Sequence, residues 1–285
     1  MEYIYHEGRV FISPLIGCNG GCKYCYLPNE IEKFDIVREN KYKINKVIEK
    51  IKRDERVVLG KSGTIISIGA YCDIFPMNDK EELTETSIEW IVECLKLGNP
   101  VQIISKNLLD EKYVKELANQ VQYENQLLYS TTITTVNKWS MIEPYTANPE
   151  KRLYTLALFK KHNIPTNLMI KPFIPGITDK EIDKFKEILR LEYIDYAVVG
   201  ELYLTTSNVK EDEEKVSRIL DCTGEKKFKT LGEELLKDFI NKIKDENKVF
   251  RKSSCVNANL LKVNNQSSYY LTMQGDYCVG CNNCK

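Results

Sequence analysis

The sequence predicts an α/β fold: a partial (β/α)6 TIM-like barrel with a small C-terminal Cys-rich extension. Three observations predict it. Apolar strand-like segments alternate with helix-like segments along the first 205 residues. Six such units occur, fewer than the eight that close a full barrel. Of the ten cysteines, three lie close together near residue 20 and three lie close together near residue 280.

Strands are predicted where short apolar runs are rich in β-branched residues. The helices between them imply parallel strands, because each helix returns the chain to the same edge of the sheet. Catalytic groups in such folds lie beyond the carboxyl ends of the strands. The six predicted strands are residues 11–17, 64–72, 100–105, 127–134, 166–174 and 196–204.

Helices are predicted from apolar residues that recur three or four positions apart. Gly98 and Pro100 end the second helix, and Pro149 opens the fourth at a first-turn position. Apolar positions that mark the six helices are Ile44 and Ile48, Ile88 and Ile91, Val114 and Leu117, Leu153 and Leu156, Ile182 and Phe185, and Leu235 and Phe239.

Composition narrows the classes of function. The chain has 41 Lys+Arg and 41 Asp+Glu, a balance that argues against a dedicated binder of nucleic acid or anionic membrane. No apolar run approaches the length of a membrane-spanning helix, and no secretory signal is visible, so a cytoplasmic location is expected. There, clustered cysteines more often ligate metals than form disulfides. We expect a core over residues 1–205, a polar excursion and closing helix over 206–248, and a Cys-rich segment over 249–285.

The first cysteine group follows the first predicted strand. Cys18, Cys22 and Cys25 have C-x-x-x-C-x-x-C spacing within a loop of glycine and asparagine, whose backbone can fold around a cluster. Iron–sulfur clusters are normally held by four cysteines, so three thiolates leave one iron open to a small molecule. Zinc is the alternative, although zinc loops usually have a second ligand pair nearby. The only histidines are His6 and His162.

The segment CNGGCKYC resembles the motif of the radical S-adenosylmethionine (radical SAM) superfamily. The resemblance implies a [4Fe–4S] cluster on these three cysteines, with S-adenosylmethionine chelating the fourth iron. It also implies an enzyme that cleaves S-adenosylmethionine reductively to a 5′-deoxyadenosyl radical and then abstracts hydrogen from a substrate. Tyr24, before the third cysteine, is expected beside the adenine. A reductase, flavodoxin or ferredoxin is the expected electron donor.

The resemblance extends over about residues 8–205. Over this range the sequence is similar to the branch of the superfamily that contains spore photoproduct lyase and related DNA-repair lyases. The stretches that carry it are SIGAYCDIFP (67–76), GNPVQIISKN (98–107), STTIT (130–134), EPYTANPEKRL (143–153) and MIKPFIPGITD (169–179).

The same resemblance implies a binding site for S-adenosylmethionine. GAYCD stands where the family's Gly-Gly-Glu segment contacts the methionyl amine, but it lacks the glutamate, so backbone carbonyls with Asp73 close by would take its place. Lys106 or Arg152 would pair the methionyl carboxylate. Residues 172–176 would flank the adenine. The expected cofactor-binding residues are Tyr24, Gly69, Tyr71, Asp73, Ser105, Lys106, Ser130, Thr132 and Arg152.

The second cysteine group predicts another metal site. Cys278, Cys281 and Cys284 have C-x-x-C-x-x-C spacing, and Cys255 is the candidate fourth ligand of a second [4Fe–4S] cluster. A zinc site and redox-active thiols are the alternatives. Spore photoproduct lyase does not have this feature, so the departure puts a DNA-lesion substrate in doubt.

Substrate identity stays open at this stage. Cys72 and Cys222 are candidate hydrogen donors to a substrate radical, against the plainer role of small unreactive residues. A peptide or protein, a small molecule, and a nucleic-acid base are all compatible substrates. The competing function is a non-catalytic iron–sulfur electron carrier or a zinc-stabilised interaction module, which would bind no S-adenosylmethionine.

Overall fold

A computed structural model of the chain describes residues 2–6, 8–29, 31–77, 81–202 and 232–262. Ten strands lie in this part of the chain: Ile4–His6 (β1), Arg9–Ile12 (β2), Leu15–Ile16 (β3), Arg38–Glu39 (β4), Ile65–Ile68 (β5), Val101–Ile104 (β6), Leu127–Thr132 (β7), Thr166–Phe173 (β8), Tyr196–Glu201 (β9) and Val249–Phe250 (β10). The α-helices there are Ile44–Arg53 (α1), Glu81–Lys96 (α2), Glu111–Gln120 (α3), Trp139–Ile142 (α4), Pro149–Lys161 (α5), Ile182–Leu189 (α6), Gly232–Ile243 (α7) and Ser253–Leu261 (α8).

The main sheet confirms the predicted α/β architecture. Its order is β1-β2-β5-β6-β7-β8-β9-β10, and the six strands from β2 to β9 in this order are mutually parallel. β1 adds an antiparallel edge beside β2, and β10 adds a parallel one beside β9. The first predicted strand, residues 11–17, is two strands in the structure. Pro14 lies between them, and a proline has no backbone N–H for a ladder hydrogen bond.

Side chains alternate between the two faces of this sheet. On the outer face, residues such as Ile66 and Ile103 pack with helix residues such as Ile91 in one large apolar core. The helix ends follow the sequence signals, since Asn148 caps α5 by accepting a hydrogen bond from the Lys151 N–H, with Pro149 in the first turn.

The inner face carries a row of hydrogen-bonded polar side chains that spans five strands. The Arg9 guanidinium donates to Ser67 and Gln102, and Gln102 Nε2 donates to Ser130 Oγ at 3.0 Å. Asn167 Nδ2 donates to the same hydroxyl at 3.1 Å. We call these five side chains the polar row. They are all buried, so their mutual hydrogen bonds meet the cost of removing them from water.

Helix α8 covers part of the inner face. Its Cys255 and Val256 pack in an apolar cluster with Leu128 of β7 and Val198 of β9, and Asn257 Nδ2 donates to Gln102 Oε1 of the polar row at 3.2 Å. The beginning of the predicted Cys-rich segment is thus packed into the barrel through β10 and α8. The division into three segments stays a prediction, because residues 203–231 and 263–285 lie outside the described residues.

Helices of the described residues are too short or too polar to cross a membrane. Cys222, Cys278, Cys281 and Cys284 lie outside the described residues. The second cluster and the role of Cys222 therefore stay predictions.

Candidate active site

The first cysteine group forms a loop at the carboxyl end of β2 and β3, as the sequence predicts. The Cys18 N–H donates to the Phe34 carbonyl at 2.6 Å, and the Cys25 N–H donates to the Cys22 carbonyl at 3.0 Å. Gly17 begins the loop with φ +89°, and a Cβ there would lie 2.3 Å from the Ile36 carbonyl oxygen. Only glycine fits this turn of the backbone.

Two of the thiols lie close to Gly20. A Cβ at Gly20 would lie 3.5 Å from Cys18 Sγ and 3.7 Å from Cys22 Sγ. Within the described residues, however, no three His, Cys, Asp or Glu side chains are gathered closely enough to hold a single metal ion. A zinc ion needs its sulfurs at about 2.3 Å, whereas a cluster spreads its thiolate ligands over several irons. Three cysteines on one loop are the donor set that the predicted cluster would use.

Burial favours the neutral form of these thiols until a metal binds. It raises the pKa of Cys18 and Cys22, and it raises the pKa of Cys25 to about 11. The Lys106 ammonium acts in the opposite direction on Cys22 and Cys25. Metal ligation requires thiolates, so cluster binding would release protons from this loop.

Lys106 extends from the end of β6 to the cysteine loop. Its Nζ lies 3.3 Å from Cys22 Sγ and 3.0 Å from Glu143 Oε1, and it sits over the Tyr24 ring at 4.8 Å from the centroid. The Tyr24 hydroxyl accepts from Lys106 and donates to Glu143. Burial alone would lower the pKa of Lys106, but the charge of Cys22 as a thiolate and that of Glu143 outweigh burial and raise that pKa well above its usual value. Lys106 is therefore a cation held beside Cys22 Sγ.

Arg152 holds Glu143 in this position. The guanidinium is fully buried and donates to Glu143 Oε2 at 2.6 Å, the Thr132 carbonyl at 2.6 Å and the Ala147 carbonyl at 2.7 Å. It also donates to the Thr146 hydroxyl. Between the two cations predicted for the methionyl carboxylate, the structure places Lys106 at the cysteine loop and commits Arg152 to internal hydrogen bonds.

Asp73 and Ser105 join the ends of β5 and β6. Ser105 Oγ donates to Asp73 Oδ1 at 2.6 Å, and the Lys106 N–H donates to Asp73 Oδ2 at 2.9 Å. Burial raises the pKa of Asp73, although these hydrogen bonds act to lower it. Gly69 is required at the same edge because a Cβ there, at φ +93°, would lie 2.2 Å from the Ile104 carbonyl oxygen. These three predicted residues therefore form one continuous edge next to Lys106.

The other predicted residues lie in two different surroundings. The Thr132 carbonyl and the Tyr71 ring are at the same end of the sheet, the ring in an edge-on contact with Phe11. Ser130 is fully buried in the polar row. Cys72 is buried against the core, where burial raises the pKa of its thiol and Ser13 hydrogen-bonds it. Cys255 is buried in the apolar cluster of α8.

The sequence analysis did not assign Glu143. This carboxylate is fully buried and is the point where Tyr24, Lys106 and Arg152 meet. Glu143 lies within the EPYTANPEKRL stretch that the resemblance already includes. Nothing in the sequence, however, shows that its side chain contacts Tyr24, which lies 119 positions earlier.

Comparisons with known proteins identify the family and the fold. A family model of the radical SAM superfamily matches residues 12–190. A cysteine-to-serine variant of spore photoproduct lyase superposes with a TM-score of 0.60 at 16% identity, covering 84% of this chain and 75% of that one. Streptococcus suis SuiB bound to S-adenosylmethionine superposes with a TM-score of 0.54 at 14% identity, covering 85% of this chain and 50% of that one. Among curated proteins, none matches this chain.

The family match spans more than half of the chain, so the chain belongs to the radical SAM superfamily. Membership implies an S-adenosylmethionine-dependent enzyme with a [4Fe–4S] cluster. The predicted similarity to spore photoproduct lyase is confirmed at the level of the fold, which is what 16% identity can show.

Proposed function

We propose that Cys18, Cys22 and Cys25 hold a [4Fe–4S] cluster, and that Lys106 binds the methionyl carboxylate of S-adenosylmethionine beside it. The observation that carries this proposal is the contact of Lys106 Nζ with Cys22 Sγ, at 3.3 Å. It supports a cation positioned next to a cluster ligand, where a carboxylate chelating the open iron would lie. When bound, these cofactors supply a 5′-deoxyadenosyl radical that abstracts hydrogen from the substrate.

The chain's own residues orient the cofactor and exclude water. Glu143 keeps Lys106 protonated and aimed at the loop. Tyr24 packs with Ile174 and Ile177 of the segment after β8, which supports the expectation that residues 172–176 flank the adenine. Gly69 and Tyr71 would offer backbone carbonyls to the methionyl amine, with Asp73 behind them.

The substrate is a peptide or protein, a small molecule or a nucleic-acid base. Two similar structures show how wide this choice is. One is spore photoproduct lyase with a bound dinucleoside spore photoproduct, and the other is SuiB bound to its precursor peptide SuiA. The predicted second cluster on Cys255, Cys278, Cys281 and Cys284, a hydrogen donor at Cys72 or Cys222, a flavodoxin- or ferredoxin-type electron donor and a cytoplasmic location belong to the same proposal.

Metal analysis and EPR test the proposal. After anaerobic reconstitution, we expect about eight irons per chain, or about four if only the first group binds a cluster. Adding S-adenosylmethionine should change the EPR signal of the reduced protein, and substitution of the first cysteine group should remove that response. An EPR signal that is indifferent to S-adenosylmethionine, or zinc in place of iron, would instead support the electron carrier or the interaction module.

A further inference from the structure

A lysine with no ion-pair partner among the described residues lies on the inner face of the barrel, outside the site described above. Lys171 is on β8, and its stem lies across Gly200 of β9: a Cβ at Gly200 would be 2.6 Å from Lys171 Cδ. Gly200 lies on the same face of β9 as Tyr196 and Val198, because side chains two positions apart in a strand point the same way. Tyr196 and Val198 pack against α8 on the inner face. Lys171 therefore points into the barrel, near the carboxyl end of β8.

Within residues 2–202 and 232–262, as far as these are described, no hydrogen bond or ion pair holds the Lys171 ammonium. The side chain is exposed to solvent, yet it is surrounded by protein, and desolvation lowers its pKa. A lysine on the outer surface would lie in bulk water, and a core lysine would have a buried acidic partner. An exposed ammonium on the inner face of a barrel is placed to contact a molecule bound inside it.

The charges around Lys171 are mostly positive. Arg9, Lys252 and Arg251 lower its pKa further, and Glu201 acts in the opposite direction. Glu201 is itself bound by the Arg251 guanidinium. Among the described residues, the charges that act on Lys171 are therefore mostly positive, and like charges so placed favour binding of an anion.

We propose that the substrate carries an oxyanion group, a carboxylate or a phosphate, that binds Lys171 inside the barrel with Arg251 and Lys252 beside it. This inference rests on the proposed function, because it takes the inner face as the substrate cavity. Lys171 lies on the far side of the barrel from the cysteine loop, which follows β2 at the other edge of the parallel strands. The anionic group would anchor one end of a substrate whose other end faces the cofactor.

Protection from chemical labelling tests this directly. The full-length chain, reconstituted and loaded with S-adenosylmethionine but without reductant, is treated with an N-hydroxysuccinimide ester at constant ionic strength. Saturating inorganic phosphate or acetate should slow labelling of Lys171 by about fivefold or more, because a charge-assisted hydrogen bond occupies the amine. Labelling of Lys46, an exposed lysine of α1, should not change.

Calorimetry with two variants completes the test. Lys171→Gln should weaken binding of the protecting anion by about tenfold or more, and the matched Lys46→Gln should bind it like the wild type. Protection by phosphate alone assigns a phosphorylated substrate, and protection by acetate alone assigns a carboxylic acid. If neither anion slows labelling of Lys171, or if Lys171→Gln binds the anion unchanged, the inference is wrong.

These readouts need no electron and no radical. Formation of 5′-deoxyadenosine without anion protection would therefore overturn this inference alone. Anion protection without formation of 5′-deoxyadenosine would overturn the proposed function alone.

Discussion

Lys106 connects the cysteine loop to the buried charges behind it. Its ammonium touches a thiol on one side and the Glu143 carboxylate on the other, and Arg152 fixes that carboxylate from below. A buried group with one partner removed is costly, so this set is balanced only when all members are present. The arrangement leaves one cation, Lys106, beside the cluster ligands.

Replacing Lys106 by methionine tests its role in cofactor binding. Lys106→Met keeps the length of the side chain and removes its charge, so affinity for S-adenosylmethionine should fall about tenfold or more, the loss of a charge-assisted hydrogen bond. Iron content should stay near that of the wild type. Lys112→Met, at an exposed lysine of α3, is the control. Equal affinity in both variants would contradict the assignment.

The pH dependence of stability tests the Glu143 carboxylate. Burial acts to raise its pKa, but the charges of Lys106 and Arg152 outweigh burial and lower the pKa from 4.5 to about 2. A lowered folded-state pKa contributes stability above pH 4.5, and that contribution is lost as the pH falls from about 4.5 toward 2. The shift corresponds to roughly 3 kcal/mol of unfolding free energy.

Urea unfolding at pH 7, 4 and 3 measures this contribution. Glu143→Gln should unfold more easily at pH 7, and its stability should fall less steeply with acid than that of the wild type. Parallel pH profiles for the two proteins would show that Glu143 is not ionised in the folded state.

At the scale of elements, the sequence predicted the strands and helices that follow a periodic apolar pattern. It did not predict the elements whose formation depends on tertiary contacts. The parallel strands and their helices were predicted because alternation and three-to-four spacing are local signals. Helix α8 was not predicted, because its buried face includes polar residues such as Asn257, whose partner Gln102 lies on the distant strand β6. The two-residue strand β10 is too short for any pattern.

Helix α8 should stabilise the barrel through Asn257. Asn257→Leu keeps a similar volume but removes the hydrogen bond to Gln102 Oε1, which would cost about 1 kcal/mol of unfolding free energy, since that oxygen still accepts from Arg9. Asn259→Leu, at a half-buried position of the same helix, is the matched control and should have a smaller effect. Equal destabilisation of the two variants in chemical denaturation would contradict the packing of α8.

For the whole molecule, the cysteine motif predicted the family, and the fold positions that motif at the carboxyl ends of the parallel strands. The triplet could be assigned to a cluster through its resemblance to the family motif, and the barrel brings Asp73, Ser105 and Lys106 to it from the ends of neighbouring strands. The Glu143–Arg152 pair and Lys171 could not be predicted, since a charge in a sequence shows neither its burial nor its partner. Net charge has the same weakness: a chain with no net charge places Arg9, Arg251 and Lys252 where their charges act on Lys171.

Production of 5′-deoxyadenosine tests the central claim most directly. With a strong reductant and S-adenosylmethionine under anaerobic conditions, the reconstituted chain should form 5′-deoxyadenosine, and a variant with Cys18, Cys22 and Cys25 replaced by alanine should form none. Cys94 lies on the buried face of α2, in the apolar core. The Cys94→Ala variant should remain active, because this thiol is not one of the proposed cluster ligands. Undiminished 5′-deoxyadenosine from the triple variant would contradict the account.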